Sequence, residues 1–317
     1  MEKIFKTLDE QIKILRNKNL IIDDEEYAKN ILLRENYFFL NGYRYLFYKS
    51  SKDKTFINGT NFREIYALFY FDRQLRNILF KNILILENNI KSILSYELSR
   101  KYGFKEKKYL NPNNFTTDPK KTRQVQDLVK KVKRQIIVNG GQHTATKHYQ
   151  SNYGYIPLWV VVKVLSFGIV GELYTILKPE DQEQIANLFN VDVESLLIYL
   201  PIIANYRNLC AHEDICYEHR TQKEIPITKY HNLLNISKMN GEYIYGINDL
   251  FALIIILKRL LRNDNFHNML NEISYEIDYL SGRLHTISID KVLDRMGFPK
   301  NYKDIVRMDW NGWEEKK

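Results

Sequence analysis

A long run of helical periodicity is the sequence feature that most constrains the fold of this chain. Between Phe62 and Lys101, apolar side chains recur at three- and four-residue steps, which places them on one face of an α-helix. These apolar positions are Ile65, Leu68, Phe69, Phe71, Leu75, Ile78, Leu79, Ile83, Ile85, Leu86, Ile90, Ile93 and Leu94. Gly103 follows the basic pair Arg100-Lys101, as expected where a helix ends.

Shorter segments with the same periodicity extend this prediction to an all-α fold. Asp23 and Asp24 are suited to cap one of the predicted helices. The predicted helices cover residues 8–18, 24–35, 120–137, 158–177 with a break at 166–168, 180–189, 192–213, 249–262 and 264–281, followed by a short element at 285–300. The segment 249–262 is apolar nearly all round, which predicts a central core helix. Residues 242–246 are the one candidate for a strand.

Turn and loop signals suggest how the chain is divided. Asn41-Gly42 predicts a turn, residues 104–122 a loop with two prolines, and residues 139–141 a glycine-rich loop. We therefore expect an N-terminal helical region, a basic helix with its loops, and a C-terminal helical region, all within one compact unit. These regions are 1–103, 104–155 and 156–300.

Composition and charge narrow the class of protein. With 44% hydrophobic and 27% charged residues among 317, the chain has a globular rather than a disordered composition. Its net charge of +9 favours a polyanionic partner, since Lys and Arg are the natural contacts for phosphate backbones. The two cysteines, Cys210 and Cys216, argue against a disulfide framework. We see no signal peptide and no membrane span, and expect a soluble cytoplasmic protein without a membrane partner.

The segment Arg207–His212 is the strongest candidate for chemistry. Asn208 and His212 are four residues apart and share a face of the predicted helix, with Arg207 at its shoulder. RNA cleavage by the 2′-hydroxyl needs proton transfer and stabilisation of charge on the phosphorane. Histidine suits the first task because an imidazole gains and loses a proton near neutral pH, and the planar fork of arginine suits the second. A second histidine, supplied by another copy of the chain, would complete the acid–base pair.

A second segment, Arg262–His267, has the same residue types at the same spacing. It lies where the predicted core helix 249–262 ends and contains Asn-Asp-Asn, so we expect capping and turning there rather than catalysis. The structural alternative also applies to the first segment, since Arg and His near a helix C-terminus complement the helix dipole.

Several segments of the chain resemble one family. The sequence Arg-Asn-Leu-Cys-Ala-His at 207–212 resembles the active-site motif of the Abi-like (AbiD/AbiF) abortive-infection family, a branch of the HEPN superfamily. Further segments are similar to that family in the same order, from about residue 8 to about residue 300. They are Asn41–Tyr48, Phe71–Arg76, Leu86–Ser92, Ile156–Trp159, Leu165–Gly168 and Met296–Pro299.

This resemblance implies a HEPN-type helical bundle with additional N- and C-terminal helices. It also implies a homodimer with a composite site, RNA cleavage without metal or other cofactor, and a toxin role in phage defence restrained by a cognate small RNA. Carried over by position, Arg207, Asn208 and His212 form the catalytic set, and Glu87 receives no role beyond its place on a helix that lines the site.

Other interpretations remain open. Cys210, His212, Cys216 and His219 could be zinc ligands, but their spacing is not that of a zinc site. A non-catalytic RNA-binding protein could use a basic segment, with nearby Tyr149, Tyr153 and Tyr155 stacking on bases; the alternative is that this segment is only a solvated helix face. A protein that acts only through protein contacts would co-purify without RNA. The basic residues are Lys120, Lys121, Arg123, Lys130, Lys131, Lys133 and Arg134.

Overall fold

Helices form nearly all the regular structure of residues 4–308, which this computed structural model describes; of Asn139 and Gly140 only the backbone is described. The α-helices are α1 (Leu8–Asn17), α2 (Glu25–Glu35), α3 (Leu40–Tyr43), α4 (Phe62–Tyr102), α5 (Glu106–Tyr109), α6 (Thr122–Gly140), α7 (Thr144–Tyr153), α8 (Leu158–Val164), α9 (Phe167–Thr175), α10 (Pro179–Asn187), α11 (Val193–Ala211), α12 (Lys229–Leu233), α13 (Leu250–Leu260), α14 (Asn263–Ser281) and α15 (Ile289–Met296). Short 3₁₀ helices cover Tyr37–Phe39, Arg44–Phe47, Pro112–Asn114, Pro119–Lys121 and Tyr302–Arg307. Two short antiparallel strands, β1 (Lys238–Met239) and β2 (Glu242–Tyr243), complete the structure, and the all-α prediction is confirmed.

The central element is α4, the long helix that the periodicity predicts. Asn61 caps its first turn in a capping box with Glu64. At the other end Gly103 adopts a φ of 91° and donates its N–H to the carbonyl of Ser99 at 2.9 Å. This left-handed conformation favours glycine, so the predicted helix end is confirmed.

Three helices pack along α4 and run antiparallel to it. Lys81 of α4 reaches Glu272 of α14 at 2.7 Å. Lys91, further along α4, donates to the carbonyl of Leu165 just beyond α8 at 2.8 Å. Arg207 of α11 lies 3.5 Å from Glu87 of α4. Helix α4 buries residues on nearly every turn, and the three neighbouring helices are positioned by packing against it.

The core prediction for the segment 249–262 is confirmed in α13. Asp249 caps this helix by accepting the N–H of Ala252 at 2.9 Å. All of its residues from Leu250 to Lys258 are buried, as is Leu260. The buried apolar side chains of the whole described chain, from Ile12 to Ile305, form one cluster around α13 and α4.

Several turn and loop predictions are wrong. Gly42 lies inside α3 rather than in a turn, and a Cβ there would overlap Cδ1 of Ile215, so close approach explains this glycine. The predicted loop 104–122 contains α5 and two 3₁₀ helices, and α6 continues through Gly140, so the loop predicted at 139–141 is reduced to a turn. Helix α7 was not predicted at all.

The boundaries of other predicted elements differ only slightly from the structure. The break predicted at 166–168 separates α8 from α9, and the C-terminal element 285–300 contains α15. The strand candidate 242–246 is reduced to β2. None of the described helices is both long enough and apolar enough to cross a bilayer.

Replacing a buried leucine of α4 should destabilise the fold strongly. Leu79 is fully buried, so we expect Leu79→Ala to lower the free energy of unfolding by about 2–5 kcal/mol, as cavity-forming changes in protein cores do. The measurement is urea denaturation followed by circular dichroism. Leu84→Ala on the exposed side of the same helix is the control and should cost much less. Equal losses for the two variants would contradict the central position of α4.

Candidate functional site

The helix that carries Arg207–His212 is α11, and its own sequence fixes both of its ends. Asp192 caps the first turn by accepting the N–H of Ser195 at 2.7 Å. At the other end, the N–H of His212 donates to the carbonyl of Asn208 at 3.0 Å, which makes His212 the C-terminal cap. The motif therefore occupies the last turn of a well-packed helix, as its apolar setting predicts.

Arg207 points to a different side of α11 from Asn208 and His212. Asn208 and His212 are exposed, whereas Arg207 is half-buried with 33% of its side chain accessible. A separation of five residues corresponds to about 140° around a helix, so Arg207 and His212 do not share a face. Within one chain, His212 lies on the open side of α11 and Arg207 on the side next to α4.

Arg207 is held against α4 by the carboxylate of Glu87 and by the aromatic ring of Phe80. Its Nε lies 3.5 Å from Oε2 of Glu87, and its guanidinium lies 5.6 Å from the ring centroid of Phe80. Phe80 and Glu87 are seven residues apart and so lie on the same face of α4. These two contacts fix the buried Nε side of the guanidinium, while the rest of the guanidinium remains accessible.

Glu87 is a buried carboxylate shared between two cations. Its Oε1 accepts a hydrogen bond from Lys91 at 2.7 Å, and Lys91 also donates to the carbonyl of Leu165. Its Oε2 and the Nε of Arg207 are both buried and make no hydrogen bond among the described residues. The attraction between Glu87 and Arg207 is therefore ionic. Sequence reasoning assigned Glu87 no role, although a charged pair four residues apart on an otherwise apolar helix face was the available signal.

The chain reverses direction directly after His212. Glu213 adopts a left-handed conformation with a φ of 56°, and Asp214 donates its N–H to the carbonyl of Leu209 at 3.1 Å. This is the Schellman pattern, in which the residue after the cap is usually glycine. Arg73 of α4 lies 3.4 Å from Glu213 and also pairs with Glu35, which favours the placement of this turn beside α4.

Asp72 of α4 anchors the segment that follows this turn. Its carboxylate accepts the backbone N–H of Cys216 at 3.1 Å and that of Tyr217 at 2.7 Å. The hydroxyl of Tyr43 donates to the same carboxylate at 2.7 Å. All of these groups are buried, so one side chain fixes the path of the chain a few residues after His212.

Arg76, one turn along α4, compensates the charge of Asp72. Its guanidinium donates to Asp72 at 2.5 Å and to the carbonyl of Asp214 at 3.3 Å. Complete burial raises the pKa of the Asp72 carboxyl, and the charge of Arg76 is the largest influence opposing that rise. Asp72 and Arg76 lie in the segment 71–76, which the sequence singled out by resemblance alone.

A second histidine, His219, which the sequence offered only as a zinc ligand, lies close to the exposed face of α11. The Nε2 of His219 is 2.6 Å from Oδ1 of Asn205, which precedes His212 by two helical turns. Burial lowers the pKa of His219, and the nearby charge of Arg220 acts in the same direction. Burial therefore favours the neutral form of the His219 imidazole, which is hydrogen-bonded to α11.

The zinc alternative finds no support in the geometry. Cys210 and Cys216 are both buried free thiols, as expected for Cys210 as a packed residue of the motif helix. His212 is exposed, and His219 is bonded to Asn205. In the described part of the chain, no three His, Cys, Asp or Glu side chains are grouped as metal ligands.

The basic residues of segment 120–134 are only partly available. Lys121 is half-buried and donates to the carbonyl of Thr175, and Lys131 pairs with Glu172 at 2.9 Å. Arg123 lies 3.7 Å from Asp127. All except Lys121 are exposed, namely Lys120, Arg123, Lys130, Lys131, Lys133 and Arg134. Helix α6 packs on α8 and α9, and α9 in turn packs on α11.

The second Arg-Asn-x-x-x-His segment has a different structural setting. Arg262 is in extended conformation as the N-cap of α14, and the rest of the segment forms the first turn of that helix. Arg262 lies 3.6 Å from Asp264, and His267 is exposed. The segment begins a helix, as expected of a capping position, but Arg262 makes no side-chain capping hydrogen bond and residues 263–267 are helical rather than a turn.

The match to a family model agrees with this arrangement. A model described as Abi-like protein matches residues 30–218, which is more than half of the chain. The chain belongs to the Abi-like protein family. The match includes α4, α11 and the Asp72 anchor, and it ends six residues after His212.

Membership of the Abi-like family makes this an abortive-infection-type protein. The segment Met296–Pro299, which also resembles the family, lies outside the matched residues. Searches of curated proteins and of solved structures found no match.

The buried charges of Asp72 and Arg76 should depend on each other for their contribution to stability. We expect Asp72→Leu to lower the free energy of unfolding by about 3–5 kcal/mol, because Arg76 stays buried without its counterion. The double variant Asp72→Leu/Arg76→Met should lose less than the sum of the two single variants. A double-mutant cycle in urea measures this coupling, and additive losses would contradict it.

Proposed function

We propose that this Abi-like protein is a HEPN-type endoribonuclease that cleaves RNA by attack of the 2′-hydroxyl, without a metal ion. The observation that carries the proposal is the placement of Asn208 and His212 at the exposed end of α11, preceded by an arginine that a buried carboxylate holds. The family membership supports a toxin-type role in phage defence.

Each motif residue suits one part of the reaction. The substrate brings its own nucleophile, so the protein must move protons and stabilise the charge that develops on phosphorus. His212 is exposed and can exchange a proton with the 2′-hydroxyl or with the leaving 5′-oxygen. Arg207 offers the accessible part of its guanidinium to a phosphate oxygen. Asn208, on the face of His212, can hydrogen-bond the phosphate or the imidazole.

One histidine cannot serve as both acid and base on opposite sides of the phosphorus. The separation of Arg207 and His212 around α11 leads to the same requirement, because a single chain presents them on different faces. A second copy of the chain would bring its own His212, and its own Arg207, to a shared cleft. We therefore propose a homodimer with a composite site.

The apolar residues on the exposed side of α11 support this helix as the contact between the two copies. Pro201 is exposed there, and Leu197, Ile198 and Ala204 are half-buried on the same side. These apolar residues lead along the helix to Asn208 and His212. An apolar stripe that ends in polar catalytic groups is the arrangement expected where two copies meet around a shared site.

A non-catalytic RNA-binding protein is the second candidate. The exposed cations of α6, namely Lys130, Lys133 and Arg134, support it because they could follow a phosphate backbone. The two functions are compatible, since a nuclease restrained by a small antitoxin RNA would need both a cleavage site and a surface for that RNA.

Loss of the motif histidine should abolish cleavage without abolishing binding. We expect His212→Ala to reduce RNA cleavage by at least about a hundredfold, the usual contribution of general acid–base catalysis, and to change RNA affinity little. The measurements are cleavage of labelled RNA by purified protein and filter binding of the same RNA.

His267→Ala is the matched control, because His267 ends the second segment of the same spacing and is also exposed. This variant should cleave RNA normally. Cleavage that survives both His212→Ala and Arg207→Ala would show that the site lies elsewhere. Cleavage that EDTA abolishes and a divalent ion restores would contradict the metal-free mechanism.

A mixed dimer tests the composite site. Wild-type and His212→Ala chains with different affinity tags can be co-expressed and purified in two steps. We expect the mixed dimer to retain much less than half of the wild-type cleavage, because the shared site needs both imidazoles. About half the activity would mean that each chain carries a complete site.

A further inference from the structure

A row of aromatic rings, three exposed and two half-buried, lies at the far end of α4 from Asp72. Trp159 of α8 and Phe104 have ring centroids 6.2 Å apart, and Phe104 and Tyr155 are separated by 5.6 Å. Tyr153 lies 6.3 Å from Tyr155, and Tyr149 lies 5.4 Å from Tyr153. We call these five residues the aromatic row. Four of the five lie between residues 149 and 159, and the fold adds Phe104, which follows the end of α4.

Three members of the aromatic row are open to solvent, whereas Tyr149 and Tyr155 are half-buried. Trp159 is 44% exposed, Phe104 43% and Tyr153 57%. Between α4 and Trp159 lies a groove of about 500 Å³, into which the exposed hydroxyl-bearing side chain of Ser92 and the ring of Tyr96 also open. Contiguous exposed rings of this kind mark a binding surface rather than a core.

The aromatic row is held in place by buried hydrogen bonds. Glu106 of α5 accepts the N–H of Ile156 at 2.5 Å, and Tyr109 donates to the carbonyl of Ile156 at 2.8 Å. These bonds tie the segment before α8 to α5, and so fix Tyr155 relative to Phe104. The rings are therefore arranged before any ligand arrives, which reduces the entropy lost on binding.

Positive charge accompanies the rings. The ammonium of Lys105 lies 5.1 Å from the ring centroid of Tyr155, and Lys107 and Lys108 are exposed on α5. The neighbouring acids are already engaged, since Glu97 pairs with Arg100 and Glu106 binds Ile156. Rings with lysines beside them suit a strand whose bases stack while its phosphates meet those lysines.

The groove lies along α4 beyond the point where Glu87 contacts Arg207. Lys163 of α8 donates to Asn88, directly after Glu87, at 2.7 Å. Ser95, which lines the groove, is two turns beyond Glu87, about 12 Å at 1.5 Å per residue. A few nucleotides of a single strand would span this distance.

We propose that the aromatic row binds the unpaired bases of single-stranded RNA whose scissile phosphate lies at Arg207 and His212. This inference rests on the proposed ribonuclease function and adds a preference for unpaired over duplex RNA. Bases in a duplex are stacked on each other and cannot insert between protein rings, whereas splayed bases can.

The test measures RNA affinity in the His212→Ala protein, so that cleavage does not consume the probe. The probe is a short fluorescent single-stranded RNA of mixed sequence, followed by fluorescence anisotropy. We expect Trp159→Ala to weaken binding about fivefold or more, as loss of a stacking ring does, and Trp159→Phe to retain most of the affinity. The same RNA annealed to its complement should bind more weakly and should not respond to Trp159→Ala.

Tyr275→Ala is the matched control. Tyr275 is an exposed tyrosine of α14 that stacks on Tyr279, away from the aromatic row, and its loss should leave affinity unchanged. Single-strand affinity that is unaffected by Trp159→Ala, or duplex binding as tight as single-strand binding, would overturn the inference.

Photocrosslinking tests the surface without any change at the aromatic row. RNA containing 4-thiouridine, irradiated in complex with the His212→Ala protein, should crosslink to peptides that contain residues 149–159 or Phe104. Crosslinks confined to peptides from 120–134 would assign RNA binding to α6 and overturn the inference. Cleavage that survives His212→Ala and Arg207→Ala would instead remove the catalytic proposal and leave these binding results valid.

Discussion

The carboxylate of Asp72 is the interaction on which the geometry of the candidate site depends. It is fully buried on α4, and it accepts two backbone N–H groups of the segment that follows α11. A buried carboxylate is stable only when its charge is compensated, and Arg76 with the hydroxyl of Tyr43 provides that compensation. The end of α11, and with it His212, is thereby fixed to the central helix.

A second buried carboxylate on the same helix acts on the other side of the motif. Glu87 attracts Arg207 and is itself balanced by Lys91. Helix α4 thus holds the motif through two charged pairs, each with partners four residues apart and buried among apolar neighbours. This arrangement turns Arg207 inward and leaves His212 outward. One chain therefore presents the motif as two separated halves, which is the physical basis for proposing a composite site.

The net charge of +9 favours a polyanionic partner but does not indicate which surface would meet it. The basic segment 120–134 attracts attention in the sequence because its cations are consecutive in the chain. In the structure Lys121 and Lys131 are bound to α9 and its C-terminus. The aromatic row has fewer cations, yet its rings are open and fixed, and stacking contributes an attraction that salt does not screen. Long-range electrostatics and short-range stacking can therefore act on different faces of this protein.

The sequence by itself determined the helices, their approximate ends and the motif. Periodicity is a local property, so Phe62–Tyr102, Val193–Ala211 and the core helix α13 could be predicted from the chain alone. Likewise, the setting of each Arg-Asn-x-x-x-His segment separated the one at 207–212 from the one at 262–267. The glycine at position 42 misled because its role is close approach to Ile215, a residue distant in sequence.

Only the tertiary structure decided how these parts work together. The pairing of Asp72 with the chain beyond His212, the contact of Glu87 with Arg207, and the aromatic row all join residues from separate elements. Such contacts depend on how α5, α8 and α11 dock on α4, and periodicity carries no information about docking. The sequence named the catalytic candidates, and packing against one long helix determined which way each of them faces.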